Sequence, residues 1–430
     1  MSETILTKNQ KKAFDLIVSG KNVFITGPSG TGKSLIIHMF KTLYGKSKNI
    51  GITSTTGISA LLIGGSTLHS YLGIGLGQGT EEELIAKISK TRKAKQRWQT
   101  IDVLVIDEIS MLSPDLFDRL EKVARILRKS KKLLGDEKIP DKPFGGIQLV
   151  LTGDFLQLPV VGEDNFCFEA ESWEKCVQYT IYLNEIIRQP DPVFQNVLND
   201  IRYGIISEDA KKLLLSRINI ELKNENGIKP TRIYTTNHDV DEMNEKELDK
   251  LALNNDFYQY DMDVHFYDFV QNKEQALEKA RKNCLAPDKL QLCCGAQVML
   301  LHNLDLEQGL ANGSRGVVIG FIEDLPVVKF LNGVERIIDH HCWETEEDKV
   351  KQLRITQIPL KLAWAITCHR SQGCTLDYAE VNLGNLFAYG QAYVALSRVK
   401  TKEGLKILDI NFDAIKAHPK AVQFYKNNEE

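Results

Sequence analysis

Gly27-Pro28-Ser29-Gly30-Thr31-Gly32-Lys33-Ser34 fits G-x-x-x-x-G-K-[ST], and its flanks say how it must be held. Asn22 to Thr26 reads as a buried strand and Leu35 to Leu43 as a helix, so residues 27 to 34 form the loop joining them. In that setting the glycines let successive backbone N–H groups turn inward around phosphate oxygens. Lys33 adds a point charge at the β- and γ-phosphates, and the Ser34 hydroxyl is placed to coordinate Mg²⁺. Gly27, Ser29, Gly30, Thr31, Gly32, Lys33 and Ser34 are therefore expected to bind ATP.

Working outward, Thr7 is positioned to cap a helix over Lys8 to Val18, and further strands are expected at Ile50 to Thr53, Val103 to Ile106, Ile147 to Leu151 and Tyr179 to Leu183. Their unbroken apolar character is what parallel strands buried on both faces require, so the first half reads as a doubly wound α/β domain. A second α/β set begins near Ile186, with a strand at Arg232 to Thr235 and a helix over Asp239 to Leu253. It resumes at Lys361 to Thr367, Glu380 to Leu383, the helix Tyr389 to Arg398 and the strand Leu405 to Leu408. Between these pieces the runs Gln297 to Leu301, Gly316 to Phe321 and Val327 to Leu331, punctuated by Asn312-Gly313 and Asn332-Gly333, suggest a small inserted β-barrel.

The strand Val103 to Ile106 ends in Asp107-Glu108, two carboxylates for two jobs: Asp107 to hold Mg²⁺, directly or through water, and Glu108 to polarise the attacking water. Detection of the γ-phosphate falls to Gln157, in Thr152-Gly153-Asp154-Phe155-Leu156-Gln157-Leu158-Pro159, to Arg188 and to Arg398. Taken singly, each arginine also fits a surface or salt-bridge role.

Composition sets the limits. The 430 residues, 43% of them hydrophobic, have enough apolar material for more than one core. No apolar run approaches the ~18 to 20 residues needed to span a bilayer, and the opening MSETILTKNQKK lacks a secretory stretch, so an intracellular protein is expected, with nucleus or cytoplasm unresolved. The eight cysteines show no paired C-x-x-C spacing and read as free thiols. His340, His341 and Cys342 offer no metal spacing either. A net charge of −3 requires any nucleic-acid binding to be local. The densest basic patch, Lys87 to Arg97, suits electrostatic gathering of nucleic acid or a solvated helix face.

Together these segments resemble a superfamily 1B helicase, specifically the petite-integration-frequency (Pif) helicases, relatives of the RecD motors. Leu6-Thr7 to Gln10 resembles the adenine-reading Q motif, residues 27 to 34 and 107 to 108 the two Walker motifs, and Gly153-Asp154 with Gln157-Leu158-Pro159 motif III. Leu183 to Gln189 resembles motif IV, Thr367 to Gly373 motif V, and Tyr393 to Val399 motif VI. Leu116 to Arg125 with Lys142-Pro143-Phe144-Gly145-Gly146-Ile147-Gln148-Leu149 is similar to the segment that separates the Pif group from RecD, with Lys131 to Asp141 as a short insertion.

The resemblance implies two RecA-like P-loop NTPase domains. The first covers 1–185, with a small wedge element within about 61–80; the second covers 186–290 and 356–430, interrupted by the β-barrel at 291–355. It implies that Gln10 reads the adenine, that Gly373 joins the ATP site, that Gln157 couples γ-phosphate to DNA, and that Arg188 and Arg398 are arginine fingers from the second domain. It further implies 5′-to-3′ movement on single-stranded DNA, opening of duplexes and of four-stranded guanine structures, ATP and Mg²⁺ as cofactors, and a monomer acting at single-strand/duplex junctions in DNA replication, repair, recombination or telomere maintenance.

Candidate strand contacts are Thr56, Gly57, Thr67, His69, Thr236, Asn237, His369, Ser371 and Gln372. These short hydroxyl, amide and imidazole groups can bond phosphates yet release at each step. Ser, Thr and Asn also cap helices and close turns. Two other readings stay open: a RecD-like subunit working inside a nuclease complex, and a non-hydrolysing nucleotide-gated clamp.

Overall fold

A computed structural model describes residues 6–129, 142–160, 162–222, 228–253, 255–268, 270, 272–284, 286–302, 304–305, 308–310, 313–347 and 350–428. The insertion at Lys131 to Asp141 and the turn residue Asn312 lie outside them. The chain forms two compact units: Met1–Ser216 with Leu386–Thr401 and Asn411–Glu430, and Arg217–Asn385 with Lys402–Ile410.

The first unit is built on a six-stranded sheet of β1 (Val23–Thr26), β2 (Ile50–Ser54), β3 (Ser66–Thr67), β4 (Val103–Asp107), β5 (Gln148–Gly153) and β6 (Tyr179–Tyr182). The order is β3-β2-β4-β5-β1-β6 and every pairing is parallel. Alternation along each strand divides its side chains between two cores. Val23, Ile25, Val103, Val105 and Val150 pack on one face with Ile36, Ile37 and Phe40, while Phe24, Leu104, Ile106, Leu149 and Leu151 pack on the other with Phe117, Phe155 and Trp173. Because both faces are dry, the strands show no polar alternation, and each buried side chain stabilises the unit by roughly 1.5–3 kcal/mol.

Helix α1 (Lys8–Val18) starts at a reciprocal cap in which Thr7 Oγ1 accepts from Gln10 N and Gln10 Oε1 accepts from Thr7 N. Helix α2 (Lys33–Tyr44) begins two residues earlier than the apolar pattern indicates, because Gly32 at φ 83° ends the loop and puts Lys33 and Ser34 in the first helical turn. The helix Pro419–Asn428 belongs to this unit and adds Ala421 and Tyr425 to the core around Phe24.

The second unit has a four-stranded parallel sheet in the order Ala365–Thr367, Thr231–Tyr234, Ala379–Leu383, Leu405–Ile410. Its helix Asn237–Ala252 is capped by Thr236. The inserted region differs from the expected barrel. Among the described residues no closed barrel forms: Glu335–Ile337, Leu325–Phe330, Arg315–Ile322, Gln297–Leu300 and Leu360–Leu362 make an open five-stranded antiparallel sheet. The next two strands, His341–Glu347 and Val350–Gln357, pair with each other, and Val350–Gln357 pairs on its other side with Asp263–Phe266, making a separate three-stranded sheet. Turn residues in the sequence fix local antiparallel pairing, but closure depends on which distant strand takes each edge.

Candidate nucleotide site and nucleic-acid track

The loop 27–34 follows β1 as the sequence requires, and its residues are held from several directions. Gly30 has φ +82°, and a Cβ there would lie 2.5 Å from Arg188 Cβ, so only glycine admits this close approach. Lys33 Nζ donates to Gly27 O at 2.7 Å and Pro28 O at 2.9 Å, curling back over the loop. Burial pulls its ammonium below the ordinary lysine value, opposed by the carboxylates of Asp154, Glu108 and Asp107.

Gln10 is buried beneath the same loop, with Nε2 donating to Thr31 O at 2.9 Å while its Oε1 serves the α1 cap. Its amide therefore ties α1 to the phosphate loop.

Asp107 ends β4 and accepts a hydrogen bond from Thr152 Oγ1 on β5. Burial raises its carboxyl above the usual range, with Thr152 and Lys33 acting in the opposite direction. Glu108 follows at φ 55°, in the left-handed region, which ends the strand and turns the chain. Ser34 in the first turn of α2 and the Asp107 carboxylate are hard oxygen donors suited to a Mg²⁺ that keeps water and phosphate ligands. Bound there, the ion would neutralise charge on the β- and γ-phosphate oxygens.

Gln157 is buried, its Nε2 3.5 Å from Asp154 Oδ2, and its Oε1 has no hydrogen-bond partner among the described residues. A buried acceptor of this kind suits a donor supplied from outside the fold, such as the attacking water. Asp154 itself forms a two-pronged pair with Arg202, Nε to Oδ2 and Nη2 to Oδ1 both 2.9 Å, with both side chains fully buried. Burial alone would push the Asp154 carboxyl up, but the Arg202 guanidinium more than offsets it and holds the group below its ordinary value. Rings of Tyr425 and Tyr203 flank the guanidinium at 4.8 and 5.2 Å.

Both proposed arginine fingers reach the phosphate loop within the first unit. Arg188 Nη1 donates to Ser29 Oγ at 2.7 Å and to Ser397 O at 3.1 Å. Arg398 Nη2 donates to Ser29 Oγ and to Ser397 Oγ, both at 2.8 Å. Ser29 N donates to the Tyr393 hydroxyl at 2.7 Å, and Gln189 Nε2 bonds Ser397 O and Val399 O. Motif IV and motif VI thus meet around one serine. Gly390, at φ +73° just before the helix Gln391–Leu396, approaches Gln157 O so closely that a Cβ would lie at 2.5 Å.

The candidate strand contacts sit at or beside helix ends in both units, Ser371 and Gln372 at the C-terminal end of Cys368–Ser371. Thr56 Oγ1 donates to Ser59 Oγ and accepts from Ser59 N; Gly57 opens the helix Gly57–Leu62. Thr67 caps Leu68–Leu72 by accepting from Ser70 N, and Thr236 Oγ1 accepts from Asp239 N ahead of Asn237. In the second unit Ser371 is buried with Oγ donating to Cys368 O, Gln372 is buried, and Gly373 follows at φ +81°. Burial lowers the imidazole values of His69 and His369, so both are neutral near pH 7 and offer hydrogen bonds rather than charge. The hydroxyls therefore carry local capping duties alongside any strand contact.

The sequence reading passed over Asp154, Arg202, Tyr393 and Tyr425 as individual site residues. A charged residue at the end of the strongly apolar-periodic helix Pro192–Arg202 is a faint signal for a buried ion pair. Tyr425 has none, since its role depends on tertiary placement.

A parallel sheet with a phosphate loop after β1, an acidic pair after β4 and two arginines on that loop defines a P-loop nucleotide-binding protein. A model of the PIF1-like helicase family matches residues 5–212, and one described as DNA helicase Pif1, 2B domain, matches residues 277–321. The ATP-dependent DNA helicase PIF1 of Xenopus laevis is 40% identical over 98% of this chain, which spans 64% of that helicase's length. The crystal structure of Pif1 helicase from Candida albicans superposes with a TM-score of 0.85 at 37% identity, covering 99% of this chain and 100% of that one. Pif1 helicase from Bacteroides in complex with ADP-AlF3 and single-stranded DNA gives a TM-score of 0.69 at 30% identity, covering 99% and 97%. The chain belongs to the PIF1-like helicase family.

Proposed function

We propose that this chain is an ATP-dependent DNA helicase that moves 5′ to 3′ along single-stranded DNA and unwinds duplex, and also four-stranded guanine, DNA. The observation that carries the reading is the convergence of Arg188 and Arg398 on Ser29 inside the phosphate loop. Two guanidinium groups held there serve little purpose in a passive binder but match the charge that develops at a transferring γ-phosphoryl group. Lys33, Asp107 and Glu108 complete a hydrolytic set, with Ser34 and Asp107 holding Mg²⁺. The RecA-like character of both units, enclosure of the strand by the inserted β-rich region and action as a monomer belong to the same proposal. Kinship with helicases solved with single-stranded DNA supports DNA as the track.

The test is ATP hydrolysis with and without a single-stranded oligonucleotide, with Glu108→Gln as control, followed by strand displacement on 5′-tailed and 3′-tailed duplexes. Strong stimulation lost in the control, with displacement only from the 5′ tail, is expected. Tight strand binding without stimulated turnover would instead support a subunit awaiting its complex or a nucleotide-gated clamp.

A further inference from the structure

The helix Pro419–Asn428 lies more than two hundred and fifty residues beyond motif III, yet one of its side chains enters the nucleotide unit's core. Tyr425 is 1% exposed. Its hydroxyl is hydrogen-bonded to Thr26 Oγ1 at 2.6 Å and accepts from Phe155 N at 3.0 Å. Thr26 is the last residue of β1, immediately before Gly27; Phe155 lies between Asp154 and Gln157. β1 and β5 are neighbouring parallel strands with Thr26 opposite Gly153, so the phenol bridges the two chains just where they leave the sheet. The same ring flanks the Arg202 guanidinium that holds Asp154.

We infer that Tyr425 is a positioning residue for ATP hydrolysis: its hydroxyl staples the entry of the phosphate loop to motif III and so fixes where Gln157 stands relative to Lys33. The inference rests on the proposed ATPase reading of the site. The Tyr425 hydroxyl is occupied by Thr26 and Phe155 and has no part in the chemistry itself. It acts because Phe155 N–H and Thr26 Oγ1 are otherwise buried beside each other, and without the phenol oxygen both must find new partners. Backbone shift at Phe155 moves Gln157 two residues on, and displacements of about 1 Å at such groups cost on the order of 100-fold in rate. Aromatic packing by the neighbouring Phe424, stacked on Phe168 at 4.4 Å and edge-on to the Phe155 ring at 5.3 Å, holds the helix in place, but its ring supplies no hydrogen bond to either loop, and leucine keeps an apolar contact there.

The separation of these two contributions gives the experiment. Tyr425→Phe keeps the ring and removes the hydroxyl; Phe424→Leu weakens the packing and keeps the hydroxyl. DNA-stimulated kcat and KM for ATP are measured on the full chain for both variants, with thermal unfolding and amide exchange at Phe155. Tyr425→Phe is expected to lower kcat about ten- to a hundredfold with KM for ATP within about threefold and faster exchange at Phe155. Phe424→Leu is expected to lower Tm while turnover per folded molecule stays near wild type. A Tyr425→Phe enzyme with wild-type kcat, or a kcat loss in both variants that tracks Tm, overturns the assignment. Absence of turnover in the wild type would overturn the ATPase reading and this inference together, whereas normal wild-type turnover with an indifferent Tyr425→Phe removes only the inference.

Discussion

Arg188 Nη1 and Arg398 Nη2 end on the same atom, Ser29 Oγ, at 2.7 and 2.8 Å. A serine hydroxyl can accept both bonds but is neutral, and an anionic phosphate oxygen is the stronger partner for a guanidinium. Ser29 therefore parks two charges beside the place where a nucleotide's phosphates would sit, without opposing their transfer.

Arg188→Ala and Arg398→Ala are each expected to reduce single-turnover hydrolysis by about 10³-fold or more, with nucleotide affinity changed far less. Arg→Lys at either position should restore little, because an ammonium cannot reproduce the planar fork. Single-turnover ATPase and equilibrium binding measured side by side check this. Normal hydrolysis in either alanine variant would remove that residue from the transition-state role.

Asp154 and Arg202 form a fully buried pair, so Asp154→Ala leaves an uncompensated guanidinium and is expected to cost about 3–5 kcal/mol. Asp154→Leu with Arg202→Met should recover much of the loss in stability but not the activity, since Gln157 loses its neighbour. The pH sign follows from the depressed Asp154 value. Its stabilisation is fully present above the unfolded carboxyl pKa of about 3.9 and is lost as pH falls through the lower folded value. Urea unfolding of wild type and double variant between pH 7 and the acid range checks both; an identical acid profile would deny the pair its linkage.

Gln10 spends its amide on the α1 cap and on Thr31 O. Gln10→Ala should cost about 1 kcal/mol of stability as a lost cap and raise KM for ATP and GTP by similar factors. Steady-state kinetics with both nucleotides decide the point: an effect on ATP alone would assign base reading to Gln10 despite these bonds.

Gly390→Ala puts a Cβ 2.5 Å from Gln157 O in a left-handed backbone position. Gly390 is the cap residue outside the helix, so alanine gains no helix propensity there and is strained at this positive φ. The close approach also pushes motif III, and kcat is expected to fall at least tenfold with single-strand affinity retained. Turnover and fluorescence-anisotropy binding on one preparation separate the two.

Much of this was legible in the chain. The strand before residues 27–34, the apolar run ending at Asp107 and the order of the motifs all rest on local pattern, and local pattern survives folding. What escaped depends on contacts across hundreds of residues. No periodicity marks Tyr425 as a partner of Thr26, and nothing near Arg202 says that its counter-ion is Asp154. The open β-rich insertion escaped for the same reason: the turn at Asn332-Gly333 specifies the hairpin that puts Glu335–Ile337 at one edge, while the other edge is taken by Leu360–Leu362, a strand distant in the chain from its partner Gln297–Leu300. Helix caps at Thr56, Thr67 and Thr236 are local features that admit both readings, and sequence alone does not choose between them.

The first unit is assembled from three stretches of chain, the last of them Asn411–Glu430. During synthesis at roughly 5–20 residues per second, N-terminal domains ordinarily finish first. Here the order is reversed for the part that matters: the six strands emerge early, but the core on one face of the sheet waits for Ala421 and Tyr425 to complete it. A ribosome stalled after Ile410 would release a sheet whose Phe24 and Phe155 keep Trp173 but lack Phe424, and whose Thr26 and Phe155 N lack the Tyr425 hydroxyl. The nucleotide unit, begun first, is the last to be completed.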